Sequence, residues 1–388
     1  MTTSTPAGLS PALRSFLDRT DVPTPYVVID IDIAEQRYHE LAAAIPGAAI
    51  FYAVKANPAM PLLERLVAIG SSFDVASPAE IDRCLAAGAS PARISYGNTI
   101  KKRRDIAYAT SCGVRRFSVD VDTELEKIAD AAPGAEVCVR LRHDCGGADW
   151  PLSRKFGCDA PDVARLMVRA SQAGMRTGVS FHVGSQQRDL GAWDTTLEVV
   201  AGIVARANDG GAALNFLNLG GGFPGSYVDA VPSIPTYGRA VRDALQRWFP
   251  QGVEELMIEP GRYMAADAGV LRSEVVLVSR RSPDDLERWV YLDCGRFHGL
   301  AETMDEAIRY RLRTPHDGTP TGPVALAGPT CDSADVLYEK NAYHLPLALA
   351  EGDHVDVLSA GAYTTTYSSV GFNGFAPLAE YCVSAADI

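Results

Sequence analysis

Residues able to do chemistry cluster in this chain at the ends of short apolar runs. Ala49-Ile-Phe-Tyr-Ala-Val-Lys-Ala-Asn57 reads as a strand ending on Lys55, a cation at the rim of a buried sheet. Desolvation disfavours a charged ammonium and lowers its pKa, which suits bond formation with a carbonyl cofactor. A lysine that snorkels to solvent is the bland account of the same residue. Asp74 sits inside Phe73-Asp-Val-Ala76, and His182 and Ser185 close Val179-Ser-Phe-His-Val-Gly-Ser185. Gly220-Gly-Gly222 follows Phe216-Leu-Asn-Leu219, and Glu259 opens Glu259-Pro-Gly-Arg262 after Leu256-Met-Ile258.

Each residue type has a physical use. Three glycines after a strand let backbone N–H groups approach an anion, and Ser185 and Arg262 can donate to the same oxygens. Taken alone, such a run is more often a tight turn. Glu259 suits pairing with a protonated pyridine nitrogen that keeps the ring an electron sink, or a salt bridge to Arg262. His182 suits stacking on a flat ring, or a satisfied place in the core. A lysine, a phosphate cradle and a ring-nitrogen carboxylate together describe pyridoxal 5′-phosphate.

The elements that must position these groups follow a regular rhythm. Apolar runs start near 49, 72, 93, 116, 136, 178, 215 and 255. Between them lie helical patterns at Pro61–Ala68, Pro78–Ala87, Glu124–Ala131, Asp162–Ala173, Trp193–Ala207 and Tyr237–Trp248. Several of the separating segments stop at glycine (Gly70, Gly88, Gly113, Gly174). Eight strands alternating with helices predict an α/β fold, a closed TIM (β/α)8 barrel whose working residues lie at the C-terminal strand ends. Residues 1–25 read as an N-terminal arm packing with a second domain, with a short helix near Pro11–Arg19. The barrel spans 26–262, except that the surplus strand 26–30 is assigned to that second domain. Residues 263–388 change character. Val270–Arg280, Trp289–Asp293, Pro323–Ala327 and His354–Leu358 are β-rich and joined by Gly and Pro turns, which predicts a C-terminal all-β domain.

At 388 residues the chain suits a barrel plus a smaller partner domain. Hydrophobic content of 47% and charged content of 22% are those of a soluble globular protein. A net charge of −12 argues against nucleic acid. The one basic cluster, Lys101-Lys-Arg-Arg104, reads as a solvated helix start. The acidic field mildly favours a cationic substrate. Eight cysteines carry no CxxC pair or metal spacing, so no metal is expected, and they read as mostly reduced and buried in a cytoplasmic protein. No apolar run is long enough to span a membrane, and Met1-Thr-Thr-Ser-Thr-Pro-Ala has no leader character.

The chain resembles the fold-type III pyridoxal-phosphate-dependent decarboxylases, the group of ornithine, lysine, diaminopimelate and arginine decarboxylases with an alanine-racemase-like barrel, and most of all the ornithine type. The likeness runs from about Thr24 to Val383. It is carried by Tyr52-Ala-Val-Lys-Ala-Asn57, Phe73-Asp-Val-Ala-Ser77, Ser180-Phe-His-Val-Gly-Ser185, Gly220-Gly-Gly-Phe-Pro-Gly225, Glu259-Pro-Gly-Arg262 and Gly328-Pro-Thr-Cys-Asp-Ser333. The resemblance implies that Lys55 carries the cofactor covalently and His182 stacks on its ring. It implies that Ser185, Gly222, Arg262 and Tyr363 hold the phosphate, that Gly221 and Gly261 line the cofactor, and that Glu259 binds the pyridine nitrogen. Arg140 and Asp74 match family residues near the cofactor. An arginine stands at the Glu259 position in alanine racemases, so Glu259 separates this chain from them.

In such enzymes the loop holding Cys331 and Asp332 reaches across a two-fold homodimer into the partner's barrel. Cys331 would then protonate Cα after carbon dioxide leaves, and Asp332 would accept from a distal ammonium. A buried small apolar residue is the bland account of Cys331. Asp305 aligns with a second carboxylate of the ornithine-decarboxylase pocket; a helix N-cap is its bland account. Diaminopimelate enzymes resemble Cys-Glu-Ser at this loop, whereas this chain has Cys331-Asp-Ser333 and better suits a simple diamino acid. The expected reaction is decarboxylation of L-ornithine to putrescine. Alternatives are lysine or dual lysine/ornithine decarboxylation, a less common basic amino acid (Cys294-Gly-Arg-Phe-His298 departs from the family pattern), and a catalytically silent regulatory homologue.

Overall fold

The computed structural model describes residues 9–152 and 154–388, so the first eight residues of the N-terminal arm lie outside the described residues. The chain forms two units. One comprises Glu35–Pro224 and Val231–Tyr263, the other residues 9–34 with Gly225–Ala230 and Met264–Ile388.

The first unit is a closed, all-parallel eight-stranded barrel. Its strands are Ala48–Ala53, Ser72–Val75, Ile94–Tyr96, Arg116–Val119, Glu136–Arg140, Arg176–Ser180, Phe216–Asn218 and Glu255–Ile258, one for each of the eight apolar runs. The barrel closes where Glu255–Ile258 pairs with Ala48–Ala53, Met257 opposite Ala49. Gly70, Gly88, Gly113 and Gly174 take positive φ at the helix-to-strand turns. Helix Pro78–Ala86 begins where Ser77 Oγ accepts from Glu80 N.

The barrel interior is capped at its N-terminal end by charge. Phe51, Cys138, Phe216 and Met257 form an apolar plug. Arg116 lies against it, its guanidinium 4.7 Å from the Phe216 ring centroid. Arg116 Nε donates to Glu136 Oε2 at 2.7 Å, and Nη1 and Nη2 donate to the two Glu255 oxygens at 2.8 and 2.9 Å. Burial works to lower the Arg116 pKa, but the Glu255 hydrogen bonds and the Glu136 and Glu255 charges outweigh it and leave the group raised.

The basic cluster at 101–104 corrects the sequence reading. Lys102, Arg103 and Arg104 are exposed at the start of helix Arg103–Ser111, but Lys101 is buried. Its ammonium donates to the carbonyls of Asn98 and Ser118, both at 2.7 Å, and lies 3.2 Å from Glu124 Oε1. Burial, only partly offset by Glu124, brings its pKa down to about 8. The cysteines also differ from expectation. All eight are free, but only Cys84, Cys138 and Cys294 are buried, and Cys331 is exposed.

The second unit is built on an eight-stranded sheet. Strand Gly269–Ser279 pairs antiparallel with Tyr26–Asp30, His354–Leu358 and Arg288–Leu292, and Tyr26–Asp30 also pairs in parallel with Ala379–Val383. All five residues of Tyr26–Asp30 are buried, which accounts for the apolar run Tyr26–Ile29, and the buried Asp30 carboxylate accepts from Ser10 Oγ at 2.5 Å and Asp32 N at 3.0 Å. Helix Pro11–Arg19, capped by Ser10, places Leu13 and Leu17 against Tyr26, Val28, Val270 and Val383. Strands Val336–Pro346 and Ala379–Val383 extend the four β-rich segments read from sequence. No helix among the described residues is long and apolar enough to cross a membrane.

Candidate active site

The C-terminal ends of the barrel strands gather the expected residues. Strand Ala48–Ala53 runs into a 3-10 turn, Val54–Ala56, that carries Lys55. The turn is fixed by Tyr52 Oη donating to the Asn57 carbonyl at 2.9 Å. Ala53 N donates to the Pro260 carbonyl at 3.0 Å, which ties Lys55 to the Glu259–Arg262 segment. Lys55 Nζ lies 2.7 Å from Asp74 Oδ2. Of the two accounts of Lys55, the structure gives the solvent-reaching one: its side chain is 51% exposed, because the turn lifts it above the sheet into the barrel mouth. Burial falls on its partner instead, with Asp74 5% exposed. Asp74 Oδ1 is buried with no hydrogen-bond partner among the described residues. A Cβ at Gly97 would stand 2.0 Å from that oxygen, so only glycine permits the approach.

Glu259 follows strand Glu255–Ile258. Its Oε1 accepts from Asn218 Nδ2 at 2.5 Å, while Asn218 Oδ1 accepts from Gly220 N at 2.9 Å. One amide therefore braces both the carboxyl and the glycine turn. Burial, with the Asp74 charge adding to it, pushes the Glu259 pKa up to about 7 against the opposing pull of Lys55, Asn218 and Arg140. His182 is half-buried, and its desolvation with the nearby Arg140 and Lys55 cations holds its pKa down to about 3. Gly184 N donates to His182 Nδ1 at 3.0 Å, which leaves the proton of the neutral ring on Nε2. A Cβ on Gly221 would lie 3.1 Å from that Nε2 and 2.6 Å from the Glu259 carbonyl.

The proposed phosphate donors also converge. Buried Arg262 directs Nε to Ser185 Oγ at 3.0 Å. Ser185 is positioned by a short ribbon, Ala148–Trp150 against Ser185–Gln187, and Gln187 N donates to the Gly222 carbonyl at 2.9 Å. Gly222 has φ +102°, and a Cβ there would lie 2.7 Å from Val183 and 2.8 Å from the Gly184 carbonyl. Gly261 is buried in the turn before Arg262, and Arg140 ends strand Glu136–Arg140. Sequence reasoning missed two residues here, Asn218 and Glu80. Glu80 Oε2 accepts from Ala76 N at 2.6 Å, and the carboxyl is raised by burial while feeling Lys55 and Asp74. Its signal was present as the third residue after Ser77, a pattern that reads as a helix cap.

This set fits pyridoxal phosphate. A half-exposed ammonium stands at the barrel mouth beside Asp74, a buried guanidinium and a hydroxyl meet beside glycines where a side chain would clash, and a deeply placed carboxyl has its pKa raised by burial. Asp74 Oδ1 is a buried acceptor without a donor among the described residues.

The remaining expected residues lie in the β unit. Cys331 and Asp332 are exposed in the loop after strand Thr321–Ala327, so the reading of Cys331 as a buried apolar residue is corrected. Buried Asp335 shapes that loop. Its Oδ2 accepts from Thr330 N and Oγ1 at 3.1 and 2.7 Å, and its Oδ1 from Arg296 N at 2.7 Å. Asp332 Oδ1 accepts from Ala334 N at 2.9 Å. Asp305 is not a helix N-cap. It sits at φ +52° inside a kinked stretch, Ala301–Glu306, with its side chain 88% exposed. It lines a cleft of about 120 Å³ with Arg296, Ser333 and Lys340. Tyr363 has φ +58° and is partly buried.

Known proteins share this sequence and fold. The family described as pyridoxal-dependent decarboxylase, pyridoxal binding domain, matches residues 32–266. The chain is 34% identical to a lysine/ornithine decarboxylase of Selenomonas ruminantium over 360 residues, covering 91% of this chain and 88% of that one. Among solved structures, the arginine decarboxylase of Paramecium bursaria Chlorella virus superposes with a TM-score of 0.86 at 28% identity, covering 95% of this chain and 98% of that one. The lysine/ornithine decarboxylase of Vibrio vulnificus complexed with cadaverine gives a TM-score of 0.84 at 30% identity, covering 95% and 96%.

Proposed function

The chain belongs to the pyridoxal-dependent decarboxylases of basic amino acids, and from that premise we propose that it converts L-ornithine to putrescine and carbon dioxide as a homodimer with shared sites. Pyridoxal phosphate supplies the electron sink that accepts the pair left behind when the α-carboxylate departs. Lys55 would hold the cofactor through its amine, and Asp74 orients the Lys55 ammonium at 2.7 Å. Glu259 pairs with the ring nitrogen; a carboxyl raised to about 7 by burial gains most from a neighbouring cation. Neutral His182 offers a flat, uncharged face to the ring. Ser185 and Arg262, with the backbone of Gly221, Gly222 and Gly261, hold the phosphate, and the Tyr363 hydroxyl is a further donor to it. Arg140 adds positive potential at the same rim. Cys331 delivers a proton to Cα, and Asp332 and Asp305 receive the distal ammonium.

The observation carrying the decarboxylase reading is the convergence of Lys55, Asp74, Glu259 and His182 on one end of one barrel. The choice of a diamino acid is supported by Asp332 in the Cys331-Asp-Ser333 loop. One methylene separates ornithine from lysine, worth only about 1–3 kcal/mol in a pocket, so the test is a direct comparison. Carbon dioxide release from ornithine, lysine, arginine and diaminopimelate, measured side by side, should be fastest with ornithine. A higher kcat/KM for any of the others would overturn the substrate assignment.

A further inference from the structure

The Cys331 sulfur is not left to itself in its loop. Asn373, from a separate loop of the same unit, meets it twice: Asn373 Oδ1 accepts from Cys331 N at 3.1 Å, and Asn373 Nδ2 lies 3.4 Å from Cys331 Sγ. The first contact fixes which way the amide points, since a backbone N–H must face the oxygen. The NH2 group is thereby turned toward the sulfur.

The loop presenting Asn373 is built for this placement. Asn373 has φ +51°, a left-handed conformation that costs most side chains energy and that asparagine tolerates best after glycine. Gly371 and Gly374 flank it at φ +79° and +80°. The loop is stapled down on both sides. Phe372 packs on Phe297 with centroids 5.0 Å apart, Phe375 meets the buried His298 ring edge-on at 4.9 Å, and Ser369 N donates to the Phe297 carbonyl at 2.8 Å. Asn373 itself is exposed, so its placement is held by the ring contacts of Phe372 and Phe375 and by its own two contacts with Cys331.

We propose that Asn373 is a positioning residue for the Cys331 thiol, directing its proton to one face of the decarboxylated carbon. This role rests on the reading of Cys331 as proton donor. In the step concerned the S–H bond breaks and a C–H bond forms with the electron pair left by carbon dioxide. The sulfur keeps the S–H pair as a thiolate, and solvent later returns a proton to it. Nδ2–H of Asn373 faces the charge that develops on sulfur, and a donor aimed at developing charge favours the transition state over the ground state. The same contact fixes the side-chain rotamer and hence the face from which the proton arrives.

Two variants separate the contacts in the full-length, cofactor-loaded enzyme. Asn373→Gly keeps the left-handed backbone and removes both side-chain contacts. Asn373→Asp keeps the acceptor for Cys331 N but puts a negative charge where the donor stood. With the amino acid that the substrate panel selects, both should lower kcat by about threefold to tenfold, the worth of one hydrogen bond, with KM unchanged within about twofold. Turnover in deuterated water should give an amine labelled on a single face with the wild type and on both faces with Asn373→Gly. Independently of turnover, Asn373→Asp should slow iodoacetamide alkylation of Cys331 at neutral pH by about threefold or more, because an adjacent negative charge disfavours the thiolate. Single-face labelling and unchanged alkylation in both variants would overturn the proposal. Cys331→Ser is run alongside. Wild-type rate and labelling in Cys331→Ser would remove the donor reading and this role with it, whereas an impaired Cys331→Ser beside normal Asn373 variants would remove Asn373 alone.

Discussion

The two ends of the barrel hold comparable charge and treat it in opposite ways. At the N-terminal end, three guanidinium nitrogens of Arg116 meet carboxylate oxygens of Glu136 and Glu255 at 2.7 to 2.9 Å, and Arg176 adds a second cation to Glu136. At the C-terminal end, Asp74 spends one oxygen on Lys55 and leaves the other without a donor among the described residues, Glu259 is driven up to about 7, and His182 is driven down to about 3. Saturated pairing stabilises a fold and leaves nothing for a ligand. Unsaturated pairing costs stability and is worth keeping only where a ligand completes it.

Substitutions at the two ends should therefore separate activity from stability. The largest effect is expected from Lys55→Ala, which should abolish both turnover and the visible absorbance of bound cofactor. Normal cofactor absorbance in this variant would break the contrast at its centre. Next comes Arg116→Met, which strands Glu136 and Glu255. It should cost about 3 kcal/mol in denaturant unfolding, the low end for removing one partner of a buried pair, since both carboxylates keep some solvent. Its kcat per folded molecule should be unchanged.

Glu259→Gln sharpens the comparison through pH. A carboxyl whose folded pKa of about 7 exceeds its ordinary value of 4.5 takes up a proton on folding between those pH values. It thus withdraws stability as pH rises through that window. Cofactor-free Glu259→Gln should melt higher than cofactor-free wild type above pH 7, with the difference fading toward pH 4.5. With cofactor bound the order should reverse. The last contrast concerns His182. Its folded pKa lies below the ordinary 6.5, so the unfolded chain binds the proton first and the barrel should lose stability as pH falls below 6.5. His182→Phe should flatten that part of the melting profile, and an unaltered profile would mean the ring is not the titrating group.

What sequence reveals follows from the range of the interaction. The eight strands were legible because each is a short local run of apolar residues, and the motif residues because they sit where those runs end. Strand Val336–Pro346 was not, since Glu339, Lys340 and Asn341 interrupt its apolar pattern. Lys101 reads as one of four solvated cations, and the groups that bury it, the Ser118 carbonyl and Glu124, lie 17 and 23 residues on. Arg116 is set by partners 20 and 139 residues away. The exposure of Lys55 was left open for a different reason: sequence locates the end of a strand but not the 3-10 turn that lifts the following side chain.

Asn218 carries one more consequence. Its carboxamide holds the turn at Gly220 with one atom and Glu259 with the other. Anything that shifts the loop meant for the anion must also swing the group meant for the heterocycle, so the two ends of the ligand are measured with a single rigid gauge. A compound with the right ring but a displaced acid group would meet a Glu259 pulled out of line, and selectivity for overall length arises from a side chain that need touch neither end.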